Sequence, residues 1–313
     1  MDTDYREVSD TILREYPNIR PKYLIISKQF FSPTGREYNT FLLQTTDGLL
    51  VAKGITKHTN SVSKLDTEWV ALKILNGKNV PKLIFKDHRP EQYLLIEFLE
   101  GFGAADLLTE NTKIEIVFNL IGDALGKIHG VPVNNFGSLV DIQPVIWSEY
   151  IKSKFSERMS GIKNLVDKDL FKKTISIFHN LEGLLERENH QPPVVIHRDA
   201  YSENFIIAKD FSKALMIDFA MAMGGRPLFD VAKFFTTELF RRPQYRDDFL
   251  NSYQRHIPLG TDFFQELTLY ILLECAGFIA FNHATNNFSS RDSCITTLKE
   301  TVGNFGVMKS LLE

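Results

Sequence analysis

Two short stretches of the chain gather groups able to do chemistry. The first reads His197-Arg198-Asp199-Ala200-Tyr201-Ser202-Glu203-Asn204, an HxDxxxxN pattern, and the second reads Ile217-Asp218-Phe219. Each follows a short apolar run, Val194-Val195-Ile196 and Ala214-Leu215-Met216-Ile217, with a third run, Phe205-Ile206-Ile207, between them. Polar residues bordering such runs fall on loops held by a rigid scaffold, where reactive groups are usually carried. A carboxylate so placed, Asp199, can accept a proton from a hydroxyl. The amide oxygen of Asn204 and the carboxylate of Asp218 offer two hard oxygen ligands, a set that suits Mg²⁺, which completes its shell with water and phosphate oxygens.

A matching half lies earlier in the chain. Lys53 ends the run Leu49-Leu50-Val51-Ala52-Lys53, and the two-residue strand period puts Val51 on the same face as the ammonium. Glu68 stands three residues after Leu65 and four before Leu72, on the apolar face of a helix. A carboxylate on a buried face needs a partner, and Lys53 is the candidate. Each residue alone has a plain reading: a capped turn for His197 and Asp199, a solvated strand end for Lys53, a surface helix position for Glu68. The set in this order favours one shared site.

The elements that must position these groups change character along the chain. The runs Tyr23 to Phe31, Tyr38 to Thr46 and Leu49 to Lys53 predict strands, with Thr45-Thr46-Asp47-Gly48 as a hairpin turn. Leu65, Trp69, Leu72 and Leu75 predict a helix, followed by strands over Lys82 to Lys86 and Tyr93 to Phe98. Beyond Glu100-Gly101 the pattern turns helical at Ile114 to His129, Trp147 to Ser156 and Leu170 to Glu188, and helices resume after Leu228. Strands early and helices late predict an α+β chain of two lobes.

Composition sets the outer limits. At 313 residues, 43% hydrophobic and 24% charged, the chain has material for two cores and is neither disordered nor fibrous. A formal net charge of -3 gives no basic field for nucleic acid, so none is expected as a partner. The two cysteines, Cys275 and Cys294, make no disulfide framework or metal motif, which favours a reducing compartment and a cytoplasmic location. The amino terminus lacks a secretory pattern. The apolar stretch from Leu267 to Phe281 is interrupted by Glu274 and falls short of the ~20 residues a membrane span requires. It predicts a buried helix, and no membrane is expected as a partner.

The ordered set Lys53, Glu68, Ile96-Glu97-Phe98-Leu99, HxDxxxxN and Ile217-Asp218-Phe219 resembles the protein-kinase-like fold, and within it the aminoglycoside phosphotransferase and choline kinase group. The segments Leu125-Gly126-Lys127-Ile128-His129-Gly130 and Gly225-Arg226-Pro227-Leu228-Phe229-Asp230-Val231-Ala232 are also similar to that group. The resemblance implies a bilobal structure. Residues 1–99 would form a small β-rich nucleotide-binding lobe including the start of the hinge, and residues 100–313 a larger, mostly helical catalytic and substrate-binding lobe. ATP and Mg²⁺ would lie between them. By the same resemblance Asp199 would orient and deprotonate an acceptor hydroxyl, with Asn204 and Asp218 on the metal. Lys53, positioned by Glu68, would hold the α- and β-phosphates. Val51 and Ile96 would line the adenine pocket, and the backbone of Glu97 and Leu99 would bond the adenine edge. His197 and Asp230 would support the catalytic loop.

Two departures argue against a protein kinase. Tyr201 stands where serine/threonine kinases carry a lysine, and Asp218 and Asp230 are too close in sequence to enclose an activation loop. The loop Ser32 to Asn39 also has one glycine and no GxGxxG. The expected activity is ATP-dependent phosphoryl transfer to a hydroxyl of a small molecule: an antibiotic such as an aminoglycoside, with resistance as one implied setting, or a sugar or amino-alcohol. The alternative is a pseudokinase that binds nucleotide or a partner without transfer. Trp147, Tyr150 and Phe155 are candidates to pack the acceptor, with helix core as the other reading. Asp106, Glu149, Asp247, Asp248 and Glu274 are candidates to face a cationic one, with a solvated surface as the alternative. Oligomeric state is not readable from these residues.

Overall fold

The computed structural model describes residues 23–25, 38–45, 48–55, 62–86, 93–141 and 143–305. Its first part is an antiparallel sheet of β1 (Tyr23–Ile25), β2 (Tyr38–Thr45), β3 (Gly48–Ile55), β4 (Leu83–Lys86) and β5 (Tyr93–Glu97), in the order β1-β2-β3-β5-β4. Thr45 pairs with Gly48 across a tight hairpin. Gly48 has φ of 126°, a conformation that side-chain-bearing residues avoid. Strand β3 is flanked on both sides, so Lys53 sits inside the sheet and not at its end: the strand runs two residues further, to Ile55. Helix α1 (Val62–Leu75) buries Leu65, Glu68, Leu72 and Leu75 on one face, as their spacing predicts. The expected strand from Tyr23 is described only over Tyr23–Ile25, and the loop from Ser32 lies outside the described residues as far as Glu37.

The second part is mostly helical: α2 (Ala104–Thr109), α3 (Ile114–His129), α4 (Trp147–Ile162), α5 (Lys168–Leu181), α6 (Gly183–Glu188), α7 (Leu228–Phe234), α8 (Arg246–Tyr253), α9 (Phe263–Ala284) and α10 (Phe288–Gly303). The single helix expected from Leu170 to Glu188 is two, with Gly183 opening the second. Helix α3 packs against α8 through Gly122 and Gly126. A Cβ at Gly122 would lie 2.3 Å from the Phe249 carbonyl oxygen, and one at Gly126 would lie 2.9 Å from that of Tyr253. After α7 the chain takes a wide turn over Phe235–Leu239, closed by the Phe240 amide on the Phe235 carbonyl at 2.9 Å.

Helix α9 spans 22 residues, longer than its apolar stretch suggests, and by length and composition alone could cross a membrane. In the fold its residues Leu267, Tyr270, Ile271 and Leu272 are buried, and it packs against α4, α7 and α10. Two small antiparallel sheets complete the architecture: β6 (Gly101–Gly103) with β9 (Phe205–Ala208) and β10 (Ala214–Met216), and β7 (Gly137–Ser138) with β8 (Val194–Ile196) and β11 (Met223–Gly225). Gly224 is required there, because a Cβ would fall 2.0 Å from the Asn135 carbonyl oxygen. These short strands carry the loops that end in Asp199 and Asp218.

Candidate active site

Strand β3 and helix α1 bring Lys53 and Glu68 together. The ammonium lies 2.8 and 3.0 Å from the two carboxylate oxygens of Glu68 and 3.1 Å from Asp218 Oδ1. Glu68 is only 1% exposed, whereas Asp218 is 48% exposed. Burial works to lower the Lys53 pKa, but the charges of Asp218 and Glu68 prevail and hold it above its ordinary value. Burial pushes the Glu68 carboxyl up, against the pull of Lys53 and a backbone hydrogen bond from Phe219. Lys53 draws Asp218 below the usual carboxylate range, so this open carboxylate stays ionised.

The second carboxylate is held by a different device. Asp230, on α7, accepts hydrogen bonds from the backbone amides of His197 at 2.6 Å and Arg198 at 2.7 Å. Its Oδ2 also accepts from His129 Nε2 at 3.2 Å, and His129 Nδ1 takes the Tyr253 hydroxyl at 2.8 Å. The His197 ring donates from Nε2 to the Ile217 carbonyl at 2.9 Å and accepts the Asp199 amide on Nδ1 at 3.2 Å. It therefore ties the loop bearing Asp199 to the strand end bearing Asp218. Arg198 and Asp218 both adopt left-handed φ values, 66° and 67°, which cost non-glycine residues energy and are typical of functional loops.

Asn204 closes the loop, donating from Nδ2 to the Asp199 carbonyl at 2.7 Å and to Asp199 Oδ2 at 3.4 Å. Among the described residues its side-chain oxygen accepts no hydrogen bond. One amide oxygen and one ionised, half-open carboxylate are thus available to a divalent cation, and this donor set fits Mg²⁺. Burial raises the Asp199 pKa, with Asp218 adding to the rise and Lys233, His197 and Asn204 opposing it.

The end of β5, where the sheet gives way to the helical part, presents backbone groups of its own. Val51 on β3 pairs with Ile96 on β5, and Ile96 is buried. The Glu97 amide is spent on the Lys82 carbonyl at 2.9 Å, so of the Glu97 backbone groups the carbonyl is the one left to meet a ligand. The Leu99 amide has no backbone partner among the described residues. An acceptor at Glu97 and a donor at Leu99, two residues apart, are a pair of the kind a base edge requires.

Other expected residues lie elsewhere. Trp147 and Phe155 belong to the core: Trp147 is buried and donates to the Tyr270 hydroxyl at 2.7 Å, and Phe155 stacks on Phe178. Tyr150 instead lines a cavity of about 330 Å³ with Arg198, Lys64 and Thr67. Arg198 forms no ion pair among the described residues. Glu274 is buried and paired, not open to a ligand: Arg158 Nη1 reaches it at 2.6 Å and Lys233 at 3.5 Å. Lys233 also lies 3.7 Å from Asp199 Oδ1. The sequence reading missed this lysine, whose one signal is a charge inside the apolar run Phe229 to Phe235.

The chain matches the model of the APH phosphotransferase enzyme family over residues 33–267. Among solved structures it is similar to a thermostable mutant of aminoglycoside phosphotransferase APH(4)-Ia in ternary complex with ADP and hygromycin B. That likeness has a TM-score of 0.65 at 14% identity and covers 95% of this chain and 98% of that one. The ethanolamine kinase of Plasmodium vivax gives 0.65 at 16% identity over 98% and 90% of the two chains. The choline kinase of Cryptosporidium parvum Iowa II gives 0.61 at 15% identity over 98% and 97%. These likenesses establish a kinase-like fold of a β-rich lobe and a larger helical one. None of the curated proteins matches the chain. With the family model spanning most of its length, the chain belongs to the phosphotransferase enzyme family and is a small-molecule kinase.

Proposed function

We propose that the enzyme transfers the γ-phosphoryl group of ATP to a hydroxyl of a small molecule, and that the cleft residues divide the work as follows. Lys53, held by Glu68 and Asp218, binds the α- and β-phosphates. Asn204 and Asp218 hold Mg²⁺, which when bound supplies positive charge to the phosphate oxygens. Asp199 orients the acceptor hydroxyl and takes its proton as the oxygen becomes a nucleophile. The Glu97 carbonyl and Leu99 amide meet the adenine edge, with Val51 and Ile96 against the ring. Little covalent work falls to the protein, so positioning and charge dominate.

The observation that carries this reading is the Lys53, Glu68 and Asp218 ion-pair set, joined through His197 to the loop of Asp199. The ADP bound to the aminoglycoside phosphotransferase supports nucleotide use. The acceptor classes to consider are antibiotics such as aminoglycosides, sugars and amino-alcohols. The free, buried thiols of Cys275 and Cys294 are in keeping with a cytoplasmic location.

Release of ADP from Mg²⁺-ATP across a panel of such acceptors tests the reading, with Asp199→Ala as control. Stimulation in the wild type that vanishes in Asp199→Ala, with nucleotide binding retained, is the expected result. ATP binding without transfer to any acceptor would instead favour a pseudokinase.

A further inference from the structure

A pocket for a cationic acceptor in this cleft would pair carboxylates lacking partners with aromatic faces beside the base. The residues beside Asp199 include both kinds of group, but the chain has already supplied their cation. The Lys233 ammonium stands 4.8 Å from the centroid of the Tyr201 ring and 5.2 Å from that of Phe278, and those two rings lie 5.7 Å apart. The same ammonium is 3.7 Å from Asp199 Oδ1, 3.5 Å from Glu274 Oε2 and 3.5 Å from the Tyr201 hydroxyl. Arg158 completes the group, reaching Glu274 at 2.6 Å and the Leu273 carbonyl at 3.0 Å.

The charges therefore cancel within the cluster: Asp199 and Glu274 against Lys233 and Arg158. The neighbouring carboxylate, Glu238, is likewise engaged, by Arg242 at 2.7 Å and Ser202 at 2.6 Å. An ammonium brought by an acceptor would find Asp199, Glu274 and Glu238 already paired, with the exposed Glu203 as the nearby carboxylate that has no ion pair among the described residues. At Asp199 it would be repelled by the lysine between the rings. An anionic acceptor would have to draw Lys233 away from two carboxylates. An uncharged acceptor has neither cost. Phe278 lies against both Tyr201 and Lys233, and Phe281, on the same face of α9 one turn further on, is exposed, so this face of the helix continues from the cluster as apolar surface.

We propose that Lys233 occupies the place of an acceptor's cation, and that the acceptor is an uncharged polyhydroxylated compound with an apolar face. This rests on the phosphotransferase reading above, and it narrows the acceptor classes to exclude polycationic aminoglycosides and quaternary amino-alcohols.

The test compares wild type, Lys233→Met and Lys233→Arg, each loaded with ADP, by calorimetric titration with choline and with hygromycin B. Methionine keeps the bulk and removes the charge. Lys233→Met should bind these cations at least about tenfold more tightly than the wild type, a factor one repulsive charge contact readily supplies. Lys233→Arg should exclude them as the wild type does. Lys233→Gln serves the same purpose if the methionine variant fails to fold. In a second arm, ADP release is measured with matched pairs of neutral polyols and their amino-substituted counterparts. The wild type should show the higher kcat/KM for the neutral member, with the ratio falling in Lys233→Met. Wild-type binding of choline or hygromycin B as tight as that of Lys233→Met, or a wild-type preference for the amino member, would overturn the proposal. Failure of Mg²⁺-ATP to bind at all would count against the phosphotransferase reading, and the calorimetric comparison, repeated without ADP, would still decide the role of Lys233.

Discussion

The backbone amide of Arg198 donates to Asp230 Oδ1 at 2.7 Å, at a residue whose φ of 66° lies in the left-handed region. The next residue, Asp199, has a partly exposed side chain, and a buried carboxylate 32 residues away in sequence holds the backbone just before it. Burial would raise the Asp230 pKa, but the hydrogen bonds from the His129 ring and the His197 amide keep it below the usual carboxylate range, ionised for this task.

Removing that carboxylate orphans two buried amides and the His129 ring. Each unsatisfied group costs roughly 1–3 kcal/mol. Asp230→Ala should therefore lower the unfolding free energy in urea and reduce kcat together, while Asp230→Asn, which keeps one acceptor oxygen, should fall between. Wild-type values for both quantities in Asp230→Ala would show that the loop holds its shape unaided.

Lys53→Met leaves Glu68 buried without its cation. Breaking a buried pair from one side costs about 3–5 kcal/mol. The double variant Lys53→Met/Glu68→Leu should recover much of that stability, because no buried charge is then left without a partner and the half-open Asp218 can be solvated, yet should not recover transfer. Urea unfolding and ADP release measured on the same preparations separate the structural role of the pair from its catalytic one.

The raised pKa of Asp199 sets the acid side of the pH profile. The base must be ionised to accept a proton, so the acidic limb of kcat/KM should lie above the ordinary aspartate value. Lys233 opposes that rise, and its removal in Lys233→Met should move the limb to still higher pH. A limb that stays in place would mean that Lys233 does not influence the charge on Asp199.

Glu188 supplies a pH dependence of stability far from the chemistry. Burial pushes its pKa up to about 7, against the Tyr270 hydroxyl and Arg226. The folded state then keeps a proton that the unfolded chain releases near the usual glutamate pKa, so stability is full below that value and falls as pH rises toward 7. Glu188→Gln should flatten the decline in Tm between pH 5 and pH 8. A Tm decline of equal slope in both proteins would assign it to other groups.

Gly122→Ala tests the crossing of α3 and α8. Its Cβ would meet a backbone carbonyl oxygen at 2.3 Å, which a side-chain rotation cannot relieve. Overpacking of this kind typically costs 1–3 kcal/mol. Gly183→Ala, with nothing within 4 Å of its Cβ, is the control and should leave Tm unchanged or higher.

Local pattern carried much of this to the sequence level. Glu68 could be placed because helix periodicity assigns it a face, and Lys53 with Val51 because strand periodicity does. The HxDxxxxN loop was legible because its residues are near in sequence. The cluster of Arg158, Lys233 and Glu274 was not, since its members come from α4, α7 and α9 and meet only through tertiary packing. Trp147 and Phe155 remained ambiguous for a related reason: spacing places them on a helix face but does not tell which side of the domain that face meets. Strands such as β6 and β7 are too short for any period to register.

Asp230 and Lys233 stand three residues apart on the one short helix α7. The first grips the backbone of the catalytic loop, and the second sets the charge around the carboxylate which that loop presents. Shape and selectivity are thus separable on a single turn of helix. A substitution at position 233 can change the kind of molecule the cleft admits while the frame that performs the transfer stays as built, so within this fold a change of clientele lies one codon away.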